Sequence, residues 1–303
     1  MNKTHSLPLM VFVYFLLSLT PASADDSTLR IVTSFTILED LVQELGGEHV
    51  RVVNLVSRNS DAHTYRPKPS DSVAIANADL VVFNGLGFEG WISRLIEDTG
   101  KANKQLIASR GVNVLRRGKE TDPHAWQSFD NIRIYITNIT DRLVTLMPEH
   151  QAELARRQSE YLDSLNELER HLSERLKVTP INKRIVVTSH DAFGYLGSEF
   201  DIQFLAPQGL SLDAEASAEE VASVIDQIRE QNVTALFLEN INNPRLLENI
   251  AAETNIAIGG RLYSDALSEL DGSAATYLDM MRHNIESLIS AFNVAKADSN
   301  EAD

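Results

Sequence analysis

The stretch between Pro148 and Val178 constrains this chain more than any other. Leu154, Tyr161, Leu165, Leu168, Leu172 and Leu176 recur at spacings of three, four or seven, which is one stripe of an α-helix. Charged and polar residues fill most other positions, and Pro148 and Pro180 bracket the run. At ~1.5 Å per residue such a helix spans roughly 40 Å, well beyond the average helix of a globular protein. On both sides of it, short apolar strands alternate with helices. A rod of this length between two such segments reads as a spine joining two α/β lobes. The alternative is an ordinary surface helix lying along a single domain.

Before the spine, strands are predicted over 29–35, 49–57, 78–84 and 104–108. Helices are predicted over 37–45, 70–77 and 89–99, and from Ser128 or Asp130 to Met147. After it, strands over 184–190, 202–206, 233–239 and 256–263 alternate with helices over 191–199, 217–231, 244–254 and 273–295. Ser217-Ala-Glu-Glu220 is a capping box at the start of one of these helices. Strand–helix alternation implies parallel sheets. The expected fold is therefore α/β, with two Rossmann-like lobes joined by one long rigid spine helix. The expected boundaries are 25–147, 148–178 and 179–303, with no low-complexity linker between the lobes.

The N-terminus reads as an export segment. Lys3 precedes an apolar run over 7–19, and Ala22-Ser23-Ala24 has the small-x-small pattern of a cleavage site, so the mature chain is expected to start at Asp25. The run is too short to span a bilayer comfortably. The chain has no cysteine, so an exported form must be held by its core. That absence also leads us to expect a soluble periplasmic protein with no lipid anchor, and a monomer is expected. A formal net charge of −16 repels nucleic acid and anionic lipid.

In parallel sheets ligands gather beyond the carboxyl ends of the strands. His63, His124, His190 and Asp265 all fall at or just after such an end, two before the spine and two after it. Three imidazoles and a carboxylate make a complete ligand set for a borderline transition cation. Each residue also has a plainer reading. His63 fits a solvated turn, and His124 fits stacking on Trp126. His190 fits a helix N-terminus, and Asp265 fits a helix cap.

The words around these residues narrow the choice. DAHTYRPKPSD (61–71), NGLGFEGW (84–91), DPHAW (122–126), SHDAFGYL (189–196) and LYSD (262–265) occur in this order. Together they resemble the cluster A-I (cluster 9) solute-binding proteins, the zinc or manganese receptors of metal ABC importers. The resemblance runs from about Leu29 to Ala291. It implies two α/β lobes on one rigid helix, with a metal buried between them. It also implies His63, His124, His190 and Asp265 as the metal ligands, and an inner-membrane ABC permease, with or without a metallochaperone, as partner. Zn2+ is the expected cargo and Mn2+ the alternative. His190 stands where family members carry His or Glu, and nitrogen favours zinc. The stretch 111–121 lacks the His-rich loop of many zinc receptors.

The remaining histidines take the plain reading. His5 falls in the export segment, His49 in a strand, His150 and His171 on charged faces of the spine, and His283 in the last helix. Glu239 is read either as a hydrogen-bond partner of a ligand imidazole or as a cap for the turn over 240–243. Asp61, Asp122 and Asp191 are further candidates to orient a ligand. Gly85 and Gly87 suit a tight strand–helix turn and form no nucleotide fingerprint. A secreted metallohydrolase would need an open coordination position and a nearby base, and no H-E-x-x-H is present. A siderophore or corrinoid receptor would need a wide aromatic site, whereas only 7% of the chain is aromatic.

Overall fold

The computed structural model describes residues 28–300, with side chains to 293. The export segment expected over 1–24 lies outside the described residues. Runs rich in Val, Ile and Leu, separated by amphipathic helices, build two four-stranded parallel sheets. The first contains β1 (Leu29–Thr33), β2 (Val50–Asn54), β3 (Leu80–Phe83) and β4 (Gln105–Ile107) in the order β2-β1-β3-β4. Between these strands lie α1 (Thr36–Gly46), α2 (Pro69–Ala76) and α3 (Ile92–Asp98). A two-stranded hairpin, β5 (Arg116–Arg117) and β6 (Glu120–Thr121), follows, and then α4 (Phe129–Leu146).

The expected long helix is α5 (Gln151–Leu176), entered through a single turn, Pro148–His150. Its buried residues are Leu154, Tyr161, Leu165, Leu168, Leu172 and Leu176, the stripe read from spacing. The opposite face is charged, with pairs such as Arg156–Glu160 one turn apart. The second sheet contains β7 (Ile185–Val187), β8 (Gln203–Leu205), β9 (Ala235–Glu239) and β10 (Ile258–Leu262) in the order β10-β9-β7-β8. Its helices are α6 (Gly194–Phe200), α7 (Ala218–Glu230), α8 (Arg245–Thr254) and α9 (Tyr277–Asn300). Read from the first strand of each half, both sheets have the same topology. The chain therefore reverses direction across the sheet between β1 and β3 and again between β7 and β9, and at such points loops splay apart and leave a crevice.

The strands alternate between two cores. Ile31, Leu80 and Val82 face one way, together with Val186, Ala235 and Phe237 from the second sheet. They join α1, α4, α5 and α9 in one continuous core that runs from Leu41 through Leu165 to Phe292. Val32, Val81 and Phe83 face outwards under α2 and α3. Val187 and Leu236 face outwards under α7 and α8. The lobes thus share a core along the spine, and this leaves the strand ends to define the seam.

Besides the last helix, which begins at Tyr277 rather than at 273, two helices start later than their periodicity suggests. The stretch 89–99 is helical only from Ile92, because Glu89 folds back into the preceding turn. Its carboxylate accepts the Ser34 hydroxyl at 2.6 Å and the main-chain N–H groups of Asn84 at 2.7 Å and Gly85 at 3.1 Å. Gly85 has φ of +82°, and a Cβ there would meet Ile107 at 2.6 Å, so this turn demands glycine. The stretch 191–199 is helical only from Gly194, because the Asp191 N–H bonds to Gly209 and that of Ala192 to His190.

Candidate metal centre

Each predicted ligand is held by partners in its own loop. His63 follows β2. Its N–H donates to Asp61 at 2.8 Å, and the Thr64 hydroxyl donates to the other oxygen of Asp61 at 2.6 Å, which closes a side-chain turn. Trp91 Nε1 donates to the Ala62 carbonyl at 2.9 Å, and Phe88 meets the His63 ring edge-on with centroids 4.5 Å apart. Asp122 accepts both the N–H and the ring Nδ1 of His124, at 3.0 and 2.9 Å, which turns Nε2 towards the seam. Asn84 Nδ2 donates to the Pro123 carbonyl at 2.9 Å, and the Tyr135 hydroxyl donates to Asn84. The NGLGFEGW word therefore builds the walls of the site rather than a phosphate loop.

His190 stands just beyond β7. Glu239, at the end of β9, accepts the N–H groups of Ser189 at 2.7 Å and His190 at 3.0 Å through one oxygen. Its other oxygen lies 2.7 Å from Nδ1 of His190, an ion-pair contact rather than an aligned hydrogen bond. Of the two readings of Glu239, a contact with the His190 ring is observed, as an ion pair rather than the expected hydrogen bond. Of the three aspartates, Asp122 orients a ring and Asp61 fixes a backbone. Asp191 instead pairs with Arg117 at 2.9 Å. Asp265 follows β10 in a loop tied to the first lobe. Trp126 Nε1 and Gln127 Nε2 both donate to the Ser264 carbonyl, at 2.9 and 2.8 Å, and the Leu267 N–H donates to the Thr36 hydroxyl at 2.8 Å.

These constraints bring the four predicted residues together. Nε2 of His63 lies 3.2 Å from Nε2 of His124. Asp265 oxygens lie 3.6 Å from Nε2 of His63, 3.6 Å from that of His124 and 3.3 Å from that of His190. Nitrogen and oxygen ligands at ~2.0–2.2 Å from a tetrahedral cation sit roughly 3.3–3.6 Å from one another. The side chains of His124, His190 and Asp265 are fully buried, and that of His63 is 5% exposed. Both Asp265 oxygens and Nε2 of His190 are buried without a hydrogen-bond partner among the described residues. Such orphaned groups are costly unless something satisfies them, and a cation among them would do so.

Burial and charge pull the two kinds of group apart. Burial drives the His63 ring down to about 3, so it is neutral over the physiological range. Burial also disfavours a charged His190, but the carboxylates of Glu239 and Asp265 override this and raise it well above the ordinary histidine value. Burial alone would raise the Asp265 carboxyl, yet His190 and His124 together hold it well below the usual carboxylate range.

Residues 31–291 match the family described as ZnuA, zinc-uptake complex component A, periplasmic. The chain belongs to this family. The manganese-binding lipoprotein MntA of Halalkalibacterium halodurans is 32% identical over 276 residues, 90% of this chain and 92% of its own. The periplasmic zinc-binding protein TroA of Treponema pallidum superposes with a TM-score of 0.84 at 26% identity, over 88% of this chain and 99% of its own. The manganese-bound periplasmic metal-binding protein of Candidatus Liberibacter asiaticus superposes at 0.79 with 30% identity, over 88% of this chain and all of its own. ZnuA-like proteins are the metal-binding components of ABC metal importers, transport receptors that work with a permease.

One expectation is overturned. An unanchored periplasmic protein was the reading drawn from the missing cysteine, but MntA and other relatives in the ZnuA-like family are named lipoproteins. A missing thiol bears on one kind of attachment and does not establish that a receptor floats free.

Glu239 gives the first prediction for a ZnuA-like site. Glu239→Gln keeps an oxygen for the two N–H groups but removes the charge beside Nδ1 of His190. Partners of this kind tune affinity by roughly 10–100-fold, and a chelator competition titration should show a loss in that range. An unchanged affinity would contradict a ligand role for His190.

Proposed function

We propose that this protein captures one divalent cation on His63, His124, His190 and Asp265 and hands it to an ABC permease, with Zn2+ its tightest-bound cargo. The observation that carries this is the set of 3.2–3.6 Å separations among the donor atoms of four buried side chains drawn from both lobes. Four protein ligands leave no position for a reactive water, which supports carriage rather than catalysis. Residues 1–24 act as the export segment, and 25–147, 148–178 and 179–303 as the two lobes and the spine between them. Release proceeds by movement of the loops holding His124 and Asp265, since the continuous core along α5 resists bending between the lobes.

Three imidazoles favour Zn2+ over Mn2+, which lies at the bottom of the affinity order for nitrogen donors. Mn2+ is the second reading, favoured by the names of MntA and of the manganese-bound neighbour. Elemental analysis of the protein purified from its native cells, combined with Zn2+ and Mn2+ titrations, tests both. The expected result is tighter Zn2+ binding, with the preference narrowed by His190→Glu. Tighter binding of Mn2+, or manganese as the bound element, would overturn the zinc assignment.

A further inference from the structure

A second group of cation-binding side chains meets where the first lobe touches the head of α5. His49 ends the short turn Gly47–His49 that enters β2, and His150 ends the turn Pro148–His150 that enters α5. Glu153 follows three residues later, on the same helix edge as His150. The two imidazoles stack with centroids 3.8 Å apart and planes 23° from parallel. Nε2 of His49 lies 3.0 Å from Oε2 of Glu153. One ring nitrogen of each histidine and one Glu153 oxygen all lie within 4.8 Å of one another.

The surroundings favour an ion at this point. All three residues are half-buried, with the side chains of His49, His150 and Glu153 17%, 33% and 33% exposed. Arg157 Nε donates to Oε1 of Glu153 at 3.1 Å, which fixes the carboxylate and leaves Oε2 turned to His49. A further carboxylate oxygen, from Glu149, lies 3.8 Å from Nε2 of His150. As plain surface residues, His49 and Glu153 form an ion pair at 3.0 Å. As ligands, the two histidines and Glu153 form a two-nitrogen, one-oxygen set with an open outer face.

We propose that His49, His150 and Glu153 form a second divalent-cation site, distinct from the buried centre, for borderline metals such as Zn2+. The cation replaces the proton shared between His49 and Glu153, and water completes its coordination. Three protein ligands and access to solvent make this the weaker and faster-exchanging site. Because His49 and Glu153 are 104 residues apart in sequence, an ion there also staples the first lobe to the head of the spine.

The test is equilibrium dialysis of the full chain against Zn2+, read by elemental analysis. The wild type is expected to bind two equivalents, the second at least tenfold weaker than the first. The double variant His49→Ala/His150→Ala should keep the tight equivalent, which reports an intact fold, and lose the weak one. The conservative variant Glu153→Gln should weaken the second equivalent at least tenfold. A second equivalent retained by the double variant, or a wild type with only the tight one, overturns the proposal. A wild type with a single equivalent that the double variant loses would instead sink the buried-centre reading and leave this one standing.

Discussion

Asp265→Asn is expected to weaken cation binding by two to three orders of magnitude while leaving the fold intact. The substitution keeps the shape of the side chain and removes only its charge. Asp265 lies within 3.3–3.6 Å of all three imidazoles and is the one carboxylate among the four donors. Asp265 itself is fully buried, and a neutral water there could not replace its charge. Breaking a buried charged set by removing one member costs roughly 3–5 kcal/mol, and each ~1.4 kcal/mol is a decade of affinity. Glu239 cannot take over, because it faces Nδ1 of His190, on the other side of the ring from the seam. A chelator competition titration of wild type and variant measures the difference. Equal affinities would mean that the cation sits elsewhere, however well the four donors converge.

Much of this was legible in the sequence because it depends on local periodicity. The stripe on α5 is a property of one helix, and its six members are the residues buried there. Strand–helix alternation carried the parallel topology, and that topology placed His63, His124, His190 and Asp265 at strand ends. Other features were set by distant partners and had no local sign. Glu89 looks like an acid in a first helical turn, but Ser34, 55 residues earlier, draws it into the strand end instead. Asp191 looks like a helix start, but the chain bends there to pair with Gln208 and Gly209. The grouping of His49 with His150 and Glu153 depends on how the first lobe docks on the spine. Read singly, each of these residues is an ordinary surface side chain. Glu239 was visible as a candidate, yet only the register of β9 beside β7 decides which neighbour it serves.

Loading the buried centre should raise the melting temperature strongly at pH 7 and much less at pH 5. A ligand at a thousand times its Kd adds ~4 kcal/mol to the folded state, which for a chain of this size is on the order of 10 °C. The pH dependence follows from the direction of each titration. His63 is driven down to about 3 and is already neutral across this window, so it meets the cation without losing a proton. His190 is raised well above its ordinary value by Glu239 and Asp265, so in the metal-free protein it carries a proton that the cation must displace. Cation binding therefore releases the His190 proton, and affinity falls on acidification. Part of the stabilisation by metal is therefore lost between pH 7 and pH 5. The metal-free protein shows the matching trend. A His190 raised above its unfolded value of 6.5 stabilises the fold below that pH, and this contribution is lost as pH rises through its folded value. Asp265, depressed in the fold, contributes above the ordinary carboxylate value and loses that contribution as pH falls towards its folded value. Metal-free and metal-loaded melting curves should thus converge on acidification, and calorimetric titration in two buffers of different ionisation enthalpy should register proton release on Zn2+ binding. A melting shift of equal size at both pH values, or no proton release, would show that His190 does not bind the ion.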